Sequence, residues 1–284
     1  MKISIVTATY NSSATVKDTL ESIARQTYPD IEHIIVDGVS KDNTLELVAQ
    51  YPHVSKTVSG KDKGIYDAMN KGIGLTTGEV VGILNSDDLY IHDKVLEKVM
   101  EQFQNPEVEA VYGDLQYVDP VNLNKIVRTW KAGTYTKRSF YYGWMPPHPS
   151  FFVRKSVYDR LGLFNLELKT AADYEIILRF LLKNKIKAAY VPEVLVKMRT
   201  GGASNASIKQ RLKANQEDYW AWRLNGLRPN PFTLFLKPAR KVGQYFLKVG
   251  SKGLNSSRGS IGNTITAETQ RRGGLPPASP RLCG

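Results

Sequence analysis

The chain has 284 residues, 42% of them hydrophobic, which is enough to build a sizeable core and excludes a disordered or fibrous protein. Its only cysteine is Cys283, which excludes an intrachain disulfide and a cysteine-based metal site and points to a reducing compartment. The net charge of +12 is unevenly placed: residues 1–196 sum to −1 and residues 197–284 to +13, so the basicity belongs to the last third.

Residues 2–8 predict a buried strand. Its apolar run Ile3-Ser4-Ile5-Val6 is too short for a signal-peptide core, and no later stretch approaches the roughly 20 apolar residues of a spanning helix. The expectation is a cytoplasmic protein that does not cross a membrane. Thr9-Tyr10-Asn11-Ser12-Ser13 then offers side-chain oxygens to cap a helix over 14–26. A second strand over 31–36 ends at Asp37-Gly38, and Ser40 and Asp42 are placed to cap a helix through Leu47-Val48-Ala49. A strand over 54–58, a helix over 66–73 and a strand over 79–84 follow. Strands alternating with helices at this spacing predict an α/β fold, a mostly parallel sheet flanked by helices and joined by right-handed crossovers. Such sheets bind ligands beyond the carboxyl ends of their strands. Thr7, Thr9, Tyr10, Asp37, Asp62 and the pair Asp87-Asp88 all fall there.

Residues 92–103 predict a packing helix with Val95, Leu96, Val99, Met100 and Phe103 on one face, and residues 110–114 another strand. The stretch 117–149 combines strand-like pieces with Tyr135, Phe140, Tyr141, Tyr142, Trp144 and Pro146-Pro147-His148-Pro149, which suits a substrate-facing loop region. A strongly periodic helix over 171–182 points Ile176, Ile177, Phe180 and Leu181 inward. Beyond 202 the chain is helical and rich in Trp, Tyr, Lys and Arg; beyond 250 its composition predicts disorder. The expected domains are therefore an α/β domain over 1–200, a basic amphipathic helical extension over 201–250 and a disordered tail over 251–284.

Four stretches carry chemistry. In Asn85-Ser86-Asp87-Asp88 two carboxylates follow an apolar strand, and a divalent cation with oxygen ligands relieves their repulsion; the same composition also makes a solvated turn. In Val36-Asp37-Gly38-Val39-Ser40-Lys41-Asp42-Asn43-Thr44, capping accounts for Ser40, Asp42 and Thr44 but not for Asp37, whose carboxylate can accept from a base edge such as the imide N–H of uracil. The run from Gly60 to Gly78 suggests a dinucleotide fingerprint, but Thr77 stands where the third glycine belongs, and the run precedes a strand instead of following one. The first strand likewise ends without glycines and no P-loop pattern is present, so neither hydride transfer on a Rossmann scaffold nor NTP hydrolysis is expected. In Lys169-Thr170-Ala171-Ala172-Asp173-Tyr174-Glu175, Asp173 suits either the helix dipole or a general base at the mouth of a cleft.

Taken in order, Ser4-Ile5-Val6-Thr7-Ala8-Thr9-Tyr10-Asn11, the Asp37 stretch, Asp62-Lys63-Gly64-Ile65-Tyr66-Asp67-Ala68-Met69-Asn70-Lys71-Gly72, Asn85-Ser86-Asp87-Asp88 and Ala172-Asp173-Tyr174-Glu175 resemble the glycosyltransferase family 2 pattern on the GT-A fold. The resemblance covers roughly residues 1–200 and is nearest to bacterial members that build O-antigen, capsule or other exported polysaccharides. It implies that Thr7, Thr9 and Tyr10 line a nucleotide pocket, that Asp37 contacts the base, and that Asp62 lies by the nucleotide. It further implies that Asp87 contacts ribose or sugar, that Asp88 binds Mn²⁺ or Mg²⁺, and that Asp173 is the base of an inverting transfer. The donor implied is a nucleotide sugar, most simply a UDP-sugar, and the acceptor a glycan or a polyprenyl-diphosphate-linked glycan. The sequence departs from the commonest pattern at Asn85-Ser86 and at Ala172-Asp173-Tyr174-Glu175, which leaves Glu175 as a second candidate base. His148 is a candidate for a metal or an acceptor phosphate.

Residues 237–250 mix cations with apolar and aromatic side chains, as in a helix lying on anionic lipid, and predict peripheral attachment to the cytoplasmic face of the inner membrane. The competing readings are a nucleic-acid-binding protein acting through the basic third, for which no motif is present, and a sugar nucleotidyltransferase, whose glycine-rich, Arg-containing N-terminal loop is absent.

Overall fold

The fold is that of a computed structural model describing residues 1–201, 208–233 and 236, without the side chains of 208–214. The chain divides into two compact units, Met1–Val249 and Gly250–Gly284, and the second lies outside the described residues, as does the segment 237–250.

The N-terminal half follows the expected alternation. Strands β1 (Ile3–Thr9), β2 (Ile31–Asp37), β3 (Val54–Ser59) and β4 (Val80–Ile83) are interleaved with helices α1 (Val16–Ala24), α2 (Thr44–Val48) and α3 (Ile65–Leu75). They lie side by side in the order β3-β2-β1-β4, all parallel. The buried runs Ile3-Ser4-Ile5-Val6 and Val80-Val81 need cover on both faces, and helices follow β1, β2 and β3 to supply it. Helix α3 comes close enough to the sheet that a Cβ on Gly72 would lie 2.2 Å from Val6 Cγ1, so no larger residue fits.

The second half makes the sheet mixed. Strand β5 (Asp88–Tyr90) and helix α4 (Val95–Gln102) lead into β6 (Ala110–Val118) and β7 (Ile126–Trp130). Helix α5 (Lys137–Tyr141), strand β8 (Phe151–Arg154) and helices α6 (Lys155–Leu161) and α7 (Ala172–Ile177) precede β9 (Ala188–Arg199) and α8 (Ile208–Leu224). Beyond β4 the order continues β8-β6-β9-β5, with β8 antiparallel to both neighbours and β7 paired to β6. The periodicity of residues 188–199 was hidden by Pro192, which has no N–H for a ladder; the pairing with β6 jumps from Val191 to Val194, so the proline sits in a bulge. The helix expected over 171–182 is α-helical to Ile177 and widens into a π-helical turn over Leu178–Lys183. The boundary expected at 200 falls inside the first unit: Ala221 and Trp222 of α8 are buried in the same cluster as Phe140, Tyr174 and Ile177.

One buried group inside the sheet titrates. His33 of β2 is fully buried between Thr7 Oγ1 at 3.1 Å and His53 Nε2 at 3.2 Å. Burial first, and His53 second, hold its pKa down at about 3, whereas an unfolded histidine protonates near 6.5. The unfolded chain therefore binds the extra proton as pH falls through that window, and stability is lost with it. Urea titrations should show wild type losing about 2 kcal/mol more than His33→Gln between about pH 6 and 4. Equal losses would mean that His33 is not held neutral.

Candidate active site at the carboxyl ends of the strands

Parallel register sets Thr9 beside Asp37 and Asp37 beside Ser59, so the carboxyl ends of β1, β2 and β3 form one polar edge. Asp37 is fully buried and accepts from Thr9 Oγ1 at 3.0 Å, Ser59 Oγ at 2.8 Å, the backbone N–H of Ser40 at 2.9 Å and the Ser40 hydroxyl. Burial opposes its charge, but these donors prevail and hold the carboxyl below the usual range. In this structure Asp37 fixes the turn after β2, and a base edge would have to exchange with one of its hydroxyl donors. Thr7 is two residues deeper and spends its hydroxyl on His33, away from the edge expected for it.

Tyr10, 63% exposed, stands at that edge. A Cβ on Gly38 would lie 2.7 Å from Asp62 Oδ2 and 3.4 Å from Tyr10 Cδ2, so glycine is what lets Asp62 and Tyr10 gather against the Asp37 turn. The β1 and β2 loops are stitched together by Ser13 N–H to Asp42 at 3.0 Å and Ser12 N–H to Thr44 Oγ1 at 2.8 Å. Ser12 Oγ also meets Ser86 Oγ at 2.8 Å, tying these loops to the acidic stretch.

Asp88 does not end β4. It opens β5, whose pairing with β9 draws it fully into the interior. Its Oδ2 accepts from Asn85 Nδ2 at 2.9 Å, but Oδ1 has no donor, and neither has Asn85 Oδ1. Four buried side-chain polar atoms lack a partner among the described residues, and two of them are in this one motif. Burial, then the charge of Asp87, pushes the Asp88 carboxyl well above its ordinary range; burial also raises Asp87. Arg199, at the end of β9, donates to the Asp87 carbonyl at 2.7 Å and pairs with Asp18 of α1. Two adjacent carboxyls with orphaned buried acceptors fit a hard divalent cation. Among the described residues no three His, Cys, Asp or Glu side chains gather to hold an ion. The arrangement therefore fits a cation completed by water and a ligand's oxygens, not a closed structural site.

On the opposite side of the site, Asp173 lies in the first turn of α7, where its Oδ1 accepts from the Tyr66 hydroxyl at 3.2 Å and from the Tyr174 N–H at 2.8 Å. Tyr66 stacks on Phe164 at 5.5 Å, and buried His148 meets the same ring edge-on at 5.4 Å. Burial lowers the His148 pKa against the opposing charge of Asp173, which places a histidine that resists protonation within electrostatic reach of that carboxylate. Tyr117 of β6 joins the two sides. Burial raises its hydroxyl pKa most, Arg128, stacked 3.9 Å above its ring, lowers it, and the charges of Asp88 and Asp173 both raise it. The charges of two acids 85 positions apart in the chain thus both act on one tyrosine.

Glu175 faces elsewhere. It is buried, held by Arg179 at 2.8 Å and by Asn225 Nδ2 at 3.1 Å, so its carboxylate anchors α7. Helix α8 grips the segment around Asp173 from behind. Glu217 Oε2 accepts from the N–H groups of Lys169 and Thr170 at 3.0 and 2.6 Å and from the Thr170 hydroxyl at 2.8 Å. Trp222 Nε1 donates to the Tyr174 hydroxyl at 2.9 Å. Tyr117, Arg199, Glu217 and Trp222 were not singled out from the sequence. No local pattern marks Arg199, Glu217 or Trp222, because each acts through partners at least 47 positions away.

The comparisons with known proteins give the family and the fold. The family model described as glycosyl transferase family 2 matches residues 4–162, more than half of the chain. A PGL/p-HBAD biosynthesis glycosyltransferase of Mycobacterium bovis is 30% identical over 217 residues, covering 74% of this chain and 82% of its own. Among solved structures, S. aureus TarS 1–349 in complex with UDP-GlcNAc superposes with a TM-score of 0.60 at 20% identity, covering 79% of this chain and 65% of TarS 1–349, just under two thirds of its length. The mannosyltransferase PcManGT of Pyrobaculum calidifontis, in complex with GDP-Man and Mn²⁺, superposes at 0.59 with 19% identity, covering 87% of this chain and 70% of that one. These two show the fold, which is GT-A. Asp173 and α8 lie beyond the residues that the family model matches. By the match over most of the sheet and by the mycobacterial relative, this chain belongs to glycosyl transferase family 2.

Proposed function

We propose that this glycosyltransferase is a metal-dependent, inverting enzyme that moves a sugar from a nucleotide sugar, a UDP-sugar in the simplest case, to a hydroxyl of a glycan or lipid-linked glycan. The observation that carries the reading is the buried Asp88 carboxyl beside Asp87, one of whose oxygens has no donor, together with Asp173 held at a helix start by the Tyr66 hydroxyl.

Tyr10 offers an exposed ring to a nucleobase, and the hydroxyls of Thr9, Ser40 and Ser59 rotate around Asp37 as it accepts an imide N–H. Asp88 with Asp87 holds the cation, Mn²⁺ or Mg²⁺, which neutralises the diphosphate that departs. Asp173, kept in place by Tyr66 and the Tyr174 N–H, takes the proton of the acceptor hydroxyl as the oxygen attacks the anomeric carbon. The new carbon–oxygen bond forms opposite the breaking bond to the diphosphate, so configuration inverts and a nucleoside diphosphate leaves. TarS with UDP-GlcNAc and PcManGT with GDP-Man and Mn²⁺ support this donor class and cation.

The test is to offer a panel of UDP- and GDP-sugars, follow release of the nucleoside diphosphate, and read the anomeric configuration of the transferred sugar by proton NMR. A product of configuration opposite to the donor supports the reading. Retention, or turnover of no sugar nucleotide in the panel, refutes it.

A further inference from the structure

Helix α8 has two faces of opposite character. Glu217, Asp218, Ala221, Trp222 and Asn225 form one buried stripe at helical spacing, each under 10% exposed, and include the groups that grip the Asp173 segment. Half a turn away, Tyr219, Trp220, Arg223 and Leu224 point straight out of the body. Trp220 is 59% exposed, and Tyr219 and Leu224 are exposed as well. The outward face of a helix on a water-soluble protein ordinarily reads polar; exposed Gln216 and Arg223 fit that here, whereas Tyr219, Trp220 and Leu224 are large and apolar or aromatic. Shortly after the helix comes Phe232, 71% exposed, whose neighbour Thr233 is pinned to the body by its hydroxyl on the Tyr141 carbonyl at 2.8 Å.

Charge decides what such a face receives. Between residues 219 and 233 the chain holds no Asp or Glu and two cations, Arg223 and Arg228, while the two acids Glu217 and Asp218 are turned inward. A second copy of the chain would set cations against cations. A nucleic acid would satisfy the cations and leave Leu224 and Phe232 in water. Headgroups of anionic lipid attract the cations, and the interfacial layer takes tryptophan, tyrosine and apolar side chains together.

We propose that the outward face of α8 (Tyr219, Trp220, Arg223 and Leu224), together with Phe232, is the contact of this protein with an anionic phospholipid surface. The proposal deepens the reading that the acceptor is lipid-linked. Because the opposite face of α8 holds the segment that carries Asp173, the bilayer lies about one helix diameter, roughly 10 Å, from that segment. A glycan anchored in the same bilayer then presents its hydroxyl at the base without leaving the surface.

The test is flotation of the full chain with vesicles of phosphatidylcholine alone and of phosphatidylcholine mixed with phosphatidylglycerol, for wild type and for the triple variant Tyr219→Ser, Trp220→Ser, Leu224→Ser. Wild type should float with the mixed vesicles and barely with the neutral ones, and the variant should bind the mixed vesicles at least about tenfold more weakly. Its circular-dichroism melt and its hydrolysis of the soluble donor without vesicles should match wild type, since none of the three residues touches the site. Equal flotation of variant and wild type overturns the proposal, as does RNA binding in the absence of vesicle binding, or a shift from dimer to monomer in the variant. Flotation and donor turnover are read separately, so failure of the membrane contact is distinguishable from failure of the transferase reading.

Discussion

Replacing Asp173 by Asn is expected to lower kcat about a thousandfold, within the 10²–10⁴ that a positioned general base supplies, while KM for the donor stays within about twofold. Asn keeps the shape and the Oδ1 that accepts from Tyr66 and from the Tyr174 N–H, so the substitution removes the proton acceptor and little else. Glu217→Ala gives the contrasting result. It frees the N–H groups of Lys169 and Thr170 and lets the segment before Asp173 shift, which should cost about ten- to a hundredfold in kcat. Steady-state transfer with a saturating acceptor measures both. If Asp173→Asn retains more than a tenth of wild-type kcat, the base lies elsewhere.

The second large effect is on Asp88. Burial and the charge of Asp87 raise its carboxyl well above the ordinary range, so without a cation its charged form is disfavoured, and a divalent ion relieves that cost. Removing the metal with EDTA is expected to lower turnover about a thousandfold, Asp88→Asn to do the same, and the two losses not to add. Asn retains an acceptor for Asn85 Nδ2 and carries no charge, so the metal-free variant should melt no lower than metal-free wild type. Adding Mn²⁺ with UDP should raise the Tm of wild type, because a ligand that binds only the folded state stabilises it, and leave the variant unmoved. A rise in the variant equal to that of wild type would remove Asp88 from the metal site.

A histidine in an apolar run such as Ile31 to Val36 reads like any polar interruption, and nothing local says that it will be sealed between Thr7 and His53. Arg199 is comparable: its strand was hidden by Pro192, and its targets, the Asp87 carbonyl and Asp18, lie 112 and 181 positions back. Glu175 looked interchangeable with Asp173 because both fall in one acidic turn. The helix sends the two side chains different ways, one toward Tyr66 and the other onto Arg179 and Asn225.

What the sequence by itself determined is the parallel half of the sheet, the strand ends where polar residues gather, and the family pattern that joins Asp37, Asp62, Asp87, Asp88 and Asp173. These follow from hydrophobic period and from turn and cap chemistry, which are local and act over a few residues. Only the tertiary structure decided which of those polar groups stay at the edge, which are consumed inside it, and what stands behind the base. Register between strands moves Thr7 inward and leaves Tyr10 out, β9 draws Asp88 into the interior, and α8 closes on the Asp173 segment from beyond the family match. Those outcomes depend on pairings between segments far apart in the chain, where the free energy of burial and of long-range hydrogen bonds is settled by the fold as a whole.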